Sequence, residues 1–358
     1  TRRIVLSKLA EFYDPIGLFE PIKLQYKLGL SRLNEYDWDT PLSAELQATW
    51  KESLAKLTEL PNLLIPRSII PKEAPNGGPI RLICVSDAGE NAVGAAIYAG
   101  VELPDGSYTC GLLTAKSKLL TATIPRNELS AIMHMVELAF IVKRSLGNRV
   151  NNIVYATDSA IALSWCHNTT IKLRLFVHNR VETIRRLIQW TTDKEEIPLF
   201  HIEGESNIAD LLTKHHRFSM DDYSLGTRWQ SGDTWMCLPT SDLPLKTYKE
   251  LTIPLTVQTD IKQECFDEPF ILSKSSNHQL LANYAGLQAA DSDSDNYFLE
   301  ECNLAFPATT AAAAAAAAGP RVTAREPFPV DLISNGWFRS RNIIGLILAW
   351  LLRAKHTI

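Results

Sequence analysis

The sequence predicts an α/β fold in which one mixed five-stranded sheet is flanked by helices, over residues 78–218. Two observations support this prediction. Three short β-type runs separated by turn residues come first, and strand-type and helix-type patterns then alternate along the chain. The resulting order, β-β-β-α-β-α-α-β-α, is typical of a single sheet with helices packed on it.

Four further segments are predicted around this domain. Before it, Leu46, Trp50 and Leu54 mark one face of a helix between residues 41 and 60. After it, the pattern becomes irregular and then acidic and Ala-rich, which is typical of disorder. The predicted segments are 1–77, a small helical segment; 78–218, the α/β domain; 219–256, an irregular packed extension; 257–330, a disordered linker; and 331–358, a C-terminal helix.

Three strands are expected at the start of the domain. Residues 80–87 (IRLICVSD), 93–100 (VGAAIYAG) and 108–115 (YTCGLLTA) are mainly apolar runs of strand length. The segments between them contain Asp-Ala-Gly and Pro-Asp-Gly, which favour hairpin turns. We therefore expect these three strands to pair antiparallel.

The remaining elements alternate between helix and strand. A helix is expected to begin near Pro125, because proline suits the first helical turn, and Leu129, Ile132 and Val136 give it a buried face. The other predicted elements are a strand at 152–157, a short helix at 158–167, a helix at 174–190, a strand at 197–202 and a last helix at 207–214.

Composition limits the classes of protein to which the chain can belong. Its 36 Lys and Arg against 40 Asp and Glu give a net charge of −4, and residues 81–217 hold 15 basic against 14 acidic residues. This excludes a protein held on nucleic acid by its net charge alone. The six cysteines form no Cys-x-x-Cys pair, so we expect no zinc site and a reducing compartment.

No targeting or membrane segment is expected. The chain begins TRRIVLSKLA, without the apolar core of a secretory signal, and its longest apolar run, near residues 343–352, is too short to span a bilayer. Because the first residue is Thr1 rather than Met, we expect a fragment of a longer polyprotein or a gene prediction cut from one.

Four acidic residues occupy the ends of predicted elements. Asp87 ends the first strand and Asp158 the fourth, while Glu128 and Asp210 lie early in helices. Singly, each has an ordinary explanation as a helix cap, a turn residue or an acid at a helix dipole. Together, four carboxylates would repel one another without cations, and their hard oxygens suit Mg²⁺. The pattern therefore predicts a site for two Mg²⁺ ions.

The segments around these acids resemble a known family. They are SDA at 86–88, TIPRNEL at 123–129, TDS at 157–159, FVHNRV at 176–181 and SNIADL at 206–211. Together they resemble the ribonuclease H domain of retroelement reverse transcriptases, most closely that of the Bel/Pao class of LTR retrotransposons. Residues 9–21 resemble the thumb/connection segment that precedes this domain. Residues 226–235 and the final helix resemble the region leading toward integrase.

This resemblance implies a ribonuclease H-like sheet and a two-metal endonuclease that cleaves the RNA strand of RNA–DNA hybrids. Asp87 would bridge both Mg²⁺ ions, for which Mn²⁺ can substitute. Glu128 and Asp158 would hold one ion, and Asp210 the other. The resemblance also implies the polymerase domain of the same polyprotein as a partner, and a location in the cytoplasm, in virus-like particles, or in the nucleus.

Four residues are predicted to contact nucleic acid: Ser159, Asn207, Arg174 and Arg180. For the two arginines, a solvated helix face is the alternative. Many ribonucleases H carry a His in the loop before the fourth acid, whereas residues 203–206 (EGES) have none. His201 is the candidate accessory residue, although a structural role is the favoured alternative. Packing in the protein is favoured over stacking on bases for four tryptophans, Trp165, Trp190, Trp229 and Trp235.

Three hypotheses about function follow from the sequence. The first is an active Mg²⁺-dependent hybrid ribonuclease. The second is a catalytically inactive remnant that binds nucleic acid or acts as a scaffold, and the third is a domesticated interaction protein whose linker and C-terminal helix dock a partner. Acidic residues at all four positions favour the first hypothesis.

Overall fold

The computed structural model describes most of the first 265 residues. The predicted C-terminal helix, the Ala run, Cys302 and nearly all of the predicted linker lie outside the described part, as does most of the connector before residue 78. The described residues are 1–12, 14–58, 68, 78–170, 172–194, 196–224 and 226–265.

One five-stranded sheet with the order β3-β2-β1-β4-β5 forms the centre of the described chain. The first three strands pair antiparallel, whereas β1, β4 and β5 run parallel. The prediction of a mixed five-stranded sheet is therefore confirmed. The strands are β1, Ile80–Ala88; β2, Ala92–Val101; β3, Gly111–Leu119; β4, Val150–Thr157; and β5, Leu199–His201.

Two strands differ most in extent from the prediction. β3 begins at Gly111 rather than at residue 108, because the Tyr108 amide donates to the carbonyl of Cys237 and the Thr109 amide to that of Val101. β5 has only three residues, Leu199–His201, because Pro198 has no amide hydrogen to donate to a ladder.

Helices cover one face of the sheet. α4 places Leu129, Ile132 and Val136 in a large apolar core with the inward side chains of the strands, as their spacing predicted. The final helix, α8, closes this core, because Ile261 is buried and its carbonyl accepts from the Trp165 indole. These helices are α4, Ile124–Leu146; α5, Ala160–His167; α6, Leu175–Thr192; and α8, Leu255–Gln263.

α8 crosses the predicted boundary at residue 256 between the extension and the disordered linker. The prediction of disorder was wrong for residues 257–263. Besides Ile261, the carboxylate of Glu264 pairs with both Arg126 Nε (2.7 Å) and Nη2 (3.1 Å) at the start of α4. Composition alone missed this helix because its stability comes from tertiary contacts rather than from a strong helical periodicity of apolar residues.

The opposite face of the sheet is covered by segments that are distant in sequence. Leu18 from the N-terminal region, Leu212 from a short helical turn, and Trp229 and Trp235 from the extension share a second apolar core. Trp229 and Trp235 are buried, as the packing interpretation expected, and so is Trp165, whereas Trp190 is 49% exposed. The short helix α7, Arg228–Ser231, carries Trp229, and the rest of the extension is mostly 3-10 turns and irregular backbone.

Among its described residues, the N-terminal segment has three α-helices that form a small core of their own around Val5, Tyr26 and Trp50. It also continues the sheet edge, because the Ala115 amide in β3 donates to the Ile16 carbonyl at 2.8 Å. Gly17 makes this approach possible, since it has φ +75° and an added Cβ would lie 1.7 Å from the Ala115 oxygen. The helices are α1, Arg2–Glu11; α2, Glu20–Ser31; and α3, Ala44–Thr58.

Candidate carboxylate metal site

Three of the four predicted acids meet at one edge of the sheet. Ligand oxygens of Asp87, Asp158 and Asp210 all lie within 4.8 Å of one another. Asp87 stands near the end of β1, and Asp158 directly follows β4. Because β1 and β4 are adjacent and parallel, their carboxyl ends bring these two side chains to the same edge.

Asp210 reaches this edge from a 3-10 helix, Ile208–Leu212, rather than from the predicted α-helix at 207–214. The turn lies tightly on β2, where a Cβ at Gly94 would be 2.4 Å from the Leu212 Cβ. Gly94 is also the residue that pairs with Asp87 across β1 and β2. The missing side chain at Gly94 therefore allows Asp210 to approach Asp87.

Asp87 is the most buried member of the trio, with 6% of its surface exposed. Burial raises the pKa of its carboxyl to about 7; the Thr213 hydroxyl, which donates to Asp87 Oδ2, opposes this rise, while Asp158 and Asp210 add to it. A buried acid with two acidic neighbours favours either a proton or a cation. Asp87 is thus poised for a positively charged ligand.

Asp158 is positioned by Asn207, a residue that was predicted to contact nucleic acid. Burial raises the pKa of Asp158, and a hydrogen bond from Asn207 opposes the rise. Asn207 is buried; its amide nitrogen donates to the Ser86 carbonyl (3.0 Å) and its side-chain oxygen accepts from the Ala209 amide (3.2 Å). Asn207 therefore orients the site from within, which corrects its predicted role as a nucleic-acid contact.

Ser159 is likewise internal. It is buried, its hydroxyl caps α5 by accepting from the Ala162 amide at 3.0 Å, and it donates to the carboxylate of Glu128. Its predicted role in binding nucleic acid is therefore not supported, because its hydroxyl is occupied by the protein.

Glu128 lies beside the trio but is not a member of it. Burial raises the pKa of Glu128, the hydrogen bond from Ser159 opposes the rise, and Asp158 adds to it, so the two acids are close enough to interact. The prediction that all four acids meet is fulfilled for three of them, with Glu128 held by Ser159 next to Asp158.

Two cationic side chains contact Asp210. Lys214 Nζ lies 2.6 Å from its Oδ1, and Arg217 Nη1 lies 3.2 Å from its Oδ2. Neither Lys214 nor Thr213 was among the predicted site residues. Their spacing, three and four residues after Asp210 in a predicted helix, was the signal that could have identified them.

The residues present fit divalent metal ions. The donor set is exclusively carboxylate oxygen, which is the ligand type that Mg²⁺ prefers, and the deepest member is destabilised as a free anion. Asp87, Asp158 and Asp210 could hold the ions, with Glu128 as an adjacent fourth donor.

The other predicted site residues occupy different settings. His201 Nε2 lies 3.2 Å from the backbone oxygen of Asp158, which supports the structural alternative. Arg174 is exposed and precedes α6, so its predicted contact with nucleic acid remains a prediction. Arg180 stacks on the ring of Phe176, with its guanidinium carbon 3.6 Å from the ring centroid.

A cavity of about 700 Å³ lies elsewhere, between the start of β4 and the end of α6. Lys143, Asn152, Arg186 and Trp190 are among the residues that line it. Because β4 enters the sheet there and reaches Asp158 only at its other end, this cavity is separate from the carboxylate trio.

Part of the chain matches a known protein family. Residues 1–159 match the family described as Pao retrotransposon-like RNaseH-like domain. This part of the chain is therefore similar to Pao-type RNase H-like domains. The match includes Asp87, Glu128 and Asp158, while Asp210 follows it on the same sheet edge.

Two solved structures are similar to parts of this chain. RNase H1 of the archaeon Halobacterium salinarum is 15% identical over 36% of this chain and 89% of its own, with a TM-score of 0.26. The N-terminal RNase H domain of a Mycobacterium tuberculosis protein, solved as a fusion with maltose-binding protein, is 13% identical over 40% of this chain and 96% of its own, with a TM-score of 0.29. The RNase H-like assignment rests on the sheet order and the family match.

Two further comparisons concern sequence and membranes. The search of curated proteins gave no match. Among the described residues, no helix has the length and apolar character needed to cross a bilayer.

Proposed function

We propose that this chain is a divalent-metal-dependent ribonuclease that cleaves the RNA strand of RNA–DNA hybrids. The observation that carries the proposal is the convergence of Asp87, Asp158 and Asp210 within 4.8 Å at one edge of an RNase H-like sheet. The match to a Pao-type RNase H-like family supports it.

Two Mg²⁺ ions, or Mn²⁺ in their place, would supply a Lewis acid for the scissile phosphate and an activated water. Asp87, Asp158 and Asp210 would hold the ions, with Glu128 as an adjacent donor. The surrounding side chains hold these acids in place, since Thr213 donates to Asp87 and Asn207 to Asp158. Such prior positioning lowers the reorganisation that binding requires.

The proposed substrate is recognised by shape. A hybrid can be read through its minor groove and its 2′-hydroxyls, which distinguish the RNA strand. Arg174 and Arg180 are the proposed phosphate contacts, because α6 begins close to the start of α4, the helix that carries Glu128. The polymerase domain of the same polyprotein would present the hybrid, in the cytoplasm, in virus-like particles, or in the nucleus.

A catalytically inactive remnant that binds nucleic acid is the second candidate. The position of Glu128 favours it, because this carboxylate is bound by Ser159 and lies outside the trio. A chain of this kind would bind a hybrid without cleaving it.

A cleavage assay distinguishes these candidates. The full chain is incubated with a labelled RNA–DNA hybrid and Mg²⁺, beside Asp158→Asn and the exposed-acid control Asp37→Asn. We expect cleavage by the wild type and by the control. For Asp158→Asn we expect the cleavage rate to fall by at least about a hundredfold, because one ligand of the two metal ions is removed. Equal rates for the wild type and Asp158→Asn would reject the site, and hybrid binding without cleavage by either would favour the remnant.

A further inference from the structure

The ammonium group of Lys214 lies beside the carboxylate cluster. Lys214 Nζ is 2.6 Å from Asp210 Oδ1, and its charge also acts on the carboxylates of Asp87 and Asp158. The Lys214 side chain is 35% exposed and the Asp210 side chain 16%. A positive charge of the chain itself therefore stands against a group of acids that would otherwise repel one another.

Local backbone structure fixes this contact. The Lys214 amide donates to the Asp210 carbonyl at 2.8 Å, which places the two side chains four residues apart on one turn. The same turn directs the Thr213 hydroxyl to Asp87. Arg217 reaches the other oxygen of Asp210 from a more exposed position, with 59% of its side chain accessible.

We propose that Lys214 is an internal counter-cation of the carboxylate site, which holds the acids together without metal and is displaced from Asp210 when a divalent ion binds. Only the displacement of Lys214 by a divalent ion rests on the proposed function. The exchange follows because a metal ion at Asp210 Oδ1 would stand beside the ammonium held there at hydrogen-bond distance, and two cations at one carboxylate oxygen repel each other.

The chain offers a matched ion pair as a control. Lys246 Nζ also lies 2.6 Å from a carboxylate, that of Glu203, but the two side chains are 52% and 64% exposed. Exposed pairs contribute little to stability because water screens them. Lys214 and Lys246 thus differ in burial and in their acidic neighbours rather than in the length of the pair.

The first measurement is thermal unfolding of the full chain in EDTA above neutral pH. We expect Lys214→Gln to unfold at a clearly lower temperature than the wild type, Lys246→Gln to match the wild type, and Lys214→Arg to recover most of the loss because it keeps the charge. An unchanged unfolding temperature for Lys214→Gln would overturn the counter-cation.

The second measurement is calorimetric titration of the same proteins with Mg²⁺ alone. We expect Lys214→Gln to bind Mg²⁺ about tenfold more tightly than the wild type, because no ammonium must be displaced. Equal or weaker binding by this variant would overturn the displacement. If neither protein binds Mg²⁺ while the loss of stability in EDTA is seen, the proposed nuclease function and the exchange fail, and the counter-cation role of Lys214 stands.

Discussion

Asp87 is a single residue whose buried position lowers the stability of the metal-free protein and suits a bound cation. It is buried beside two other acids, and burial raises its pKa to about 7. An ordinary Asp in an unfolded chain titrates near 4. Between these two pH values, the metal-free folded protein therefore keeps a proton on Asp87 that the unfolded chain has already lost.

The sign of the pH effect follows from this difference. Where the folded state binds more protons, the free energy of unfolding falls as pH rises, here between about 4 and 7. Asp87→Asn removes the titration while keeping the shape of the side chain. In EDTA, we expect the variant to approach the wild type in stability at the acid end and to exceed it by about 2 to 4 kcal/mol above pH 7.

Urea unfolding of both proteins across this pH range measures the effect, with the exposed-acid variant Asp37→Asn as the control. A stability difference that does not change with pH would show that Asp87 titrates normally in the folded protein. The gain of stability should be accompanied by a loss of Mg²⁺ binding, as is common when a residue is retained for function.

At the scale of elements, the docking of α2 on β3 depends on one buried ion-pair network. Glu20 is 5% exposed; it accepts from the Ser117 amide (3.0 Å) and hydroxyl (2.7 Å) and pairs with Lys27 at 2.5 Å and Lys23 at 3.2 Å. Burial would raise the pKa of Glu20, but the two ammonium groups and the Ser117 hydrogen bonds lower it to about 2. Glu20 is therefore ionised at neutral pH.

Glu20→Gln tests this contact. Removing one partner leaves the partly buried Lys27 without its counter-charge, so we expect a loss of about 3 kcal/mol in the free energy of unfolding at neutral pH. Because the pKa of Glu20 is lowered in the folded state, the loss should shrink as pH falls from about 4 toward 2.

Denaturant unfolding gives the comparison, and Glu11→Gln is the matched control, since Glu11 pairs with Lys8 at 2.9 Å with both side chains more than half exposed. A loss no larger than that of Glu11→Gln would mean that α2 is held by apolar contacts alone.

At the scale of the whole molecule, the predicted domain at 78–218 is smaller than the unit that packs. Trp229 donates from its indole to the Leu18 carbonyl at 2.8 Å, which joins the extension to the N-terminal segment. Tyr98 of β2 donates to the Trp229 carbonyl at 2.9 Å, and buried Arg81 of β1 donates to the carbonyls of Met236 and Leu238. These bonds link both flanking segments to the sheet.

We therefore expect a fragment of residues 78–218 to fold poorly, because one face of its sheet would lose its cover. It should bind a dye specific for exposed apolar surface and unfold without a sharp transition, whereas a fragment of residues 1–265 should unfold cooperatively. Circular dichroism during heating makes the comparison. Cooperative unfolding of the shorter fragment would show that the predicted boundaries are sufficient for folding.

The sequence by itself determined the sheet, most of the helices of one face and the elements that carry the acids. Local patterns sufficed there, because strand runs, hairpin turns and the spacing of Leu129, Ile132 and Val136 are properties of neighbouring residues. The positions of Asp87 and Asp158 followed in the same way, since both stand at the carboxyl ends of predicted strands.

Only the tertiary structure decided which side chains face a ligand and which face the protein. Asn207 and Ser159 have ordinary neighbours in sequence, and their roles depend on partners far along the chain, while the position of Asp210 depends on a close approach at Gly94. The segments that pack on the second face of the sheet could not be predicted either, because Leu18 and Trp229 are more than two hundred residues apart. Burial and charge balance are sums over such distant contacts, so no local pattern contains them.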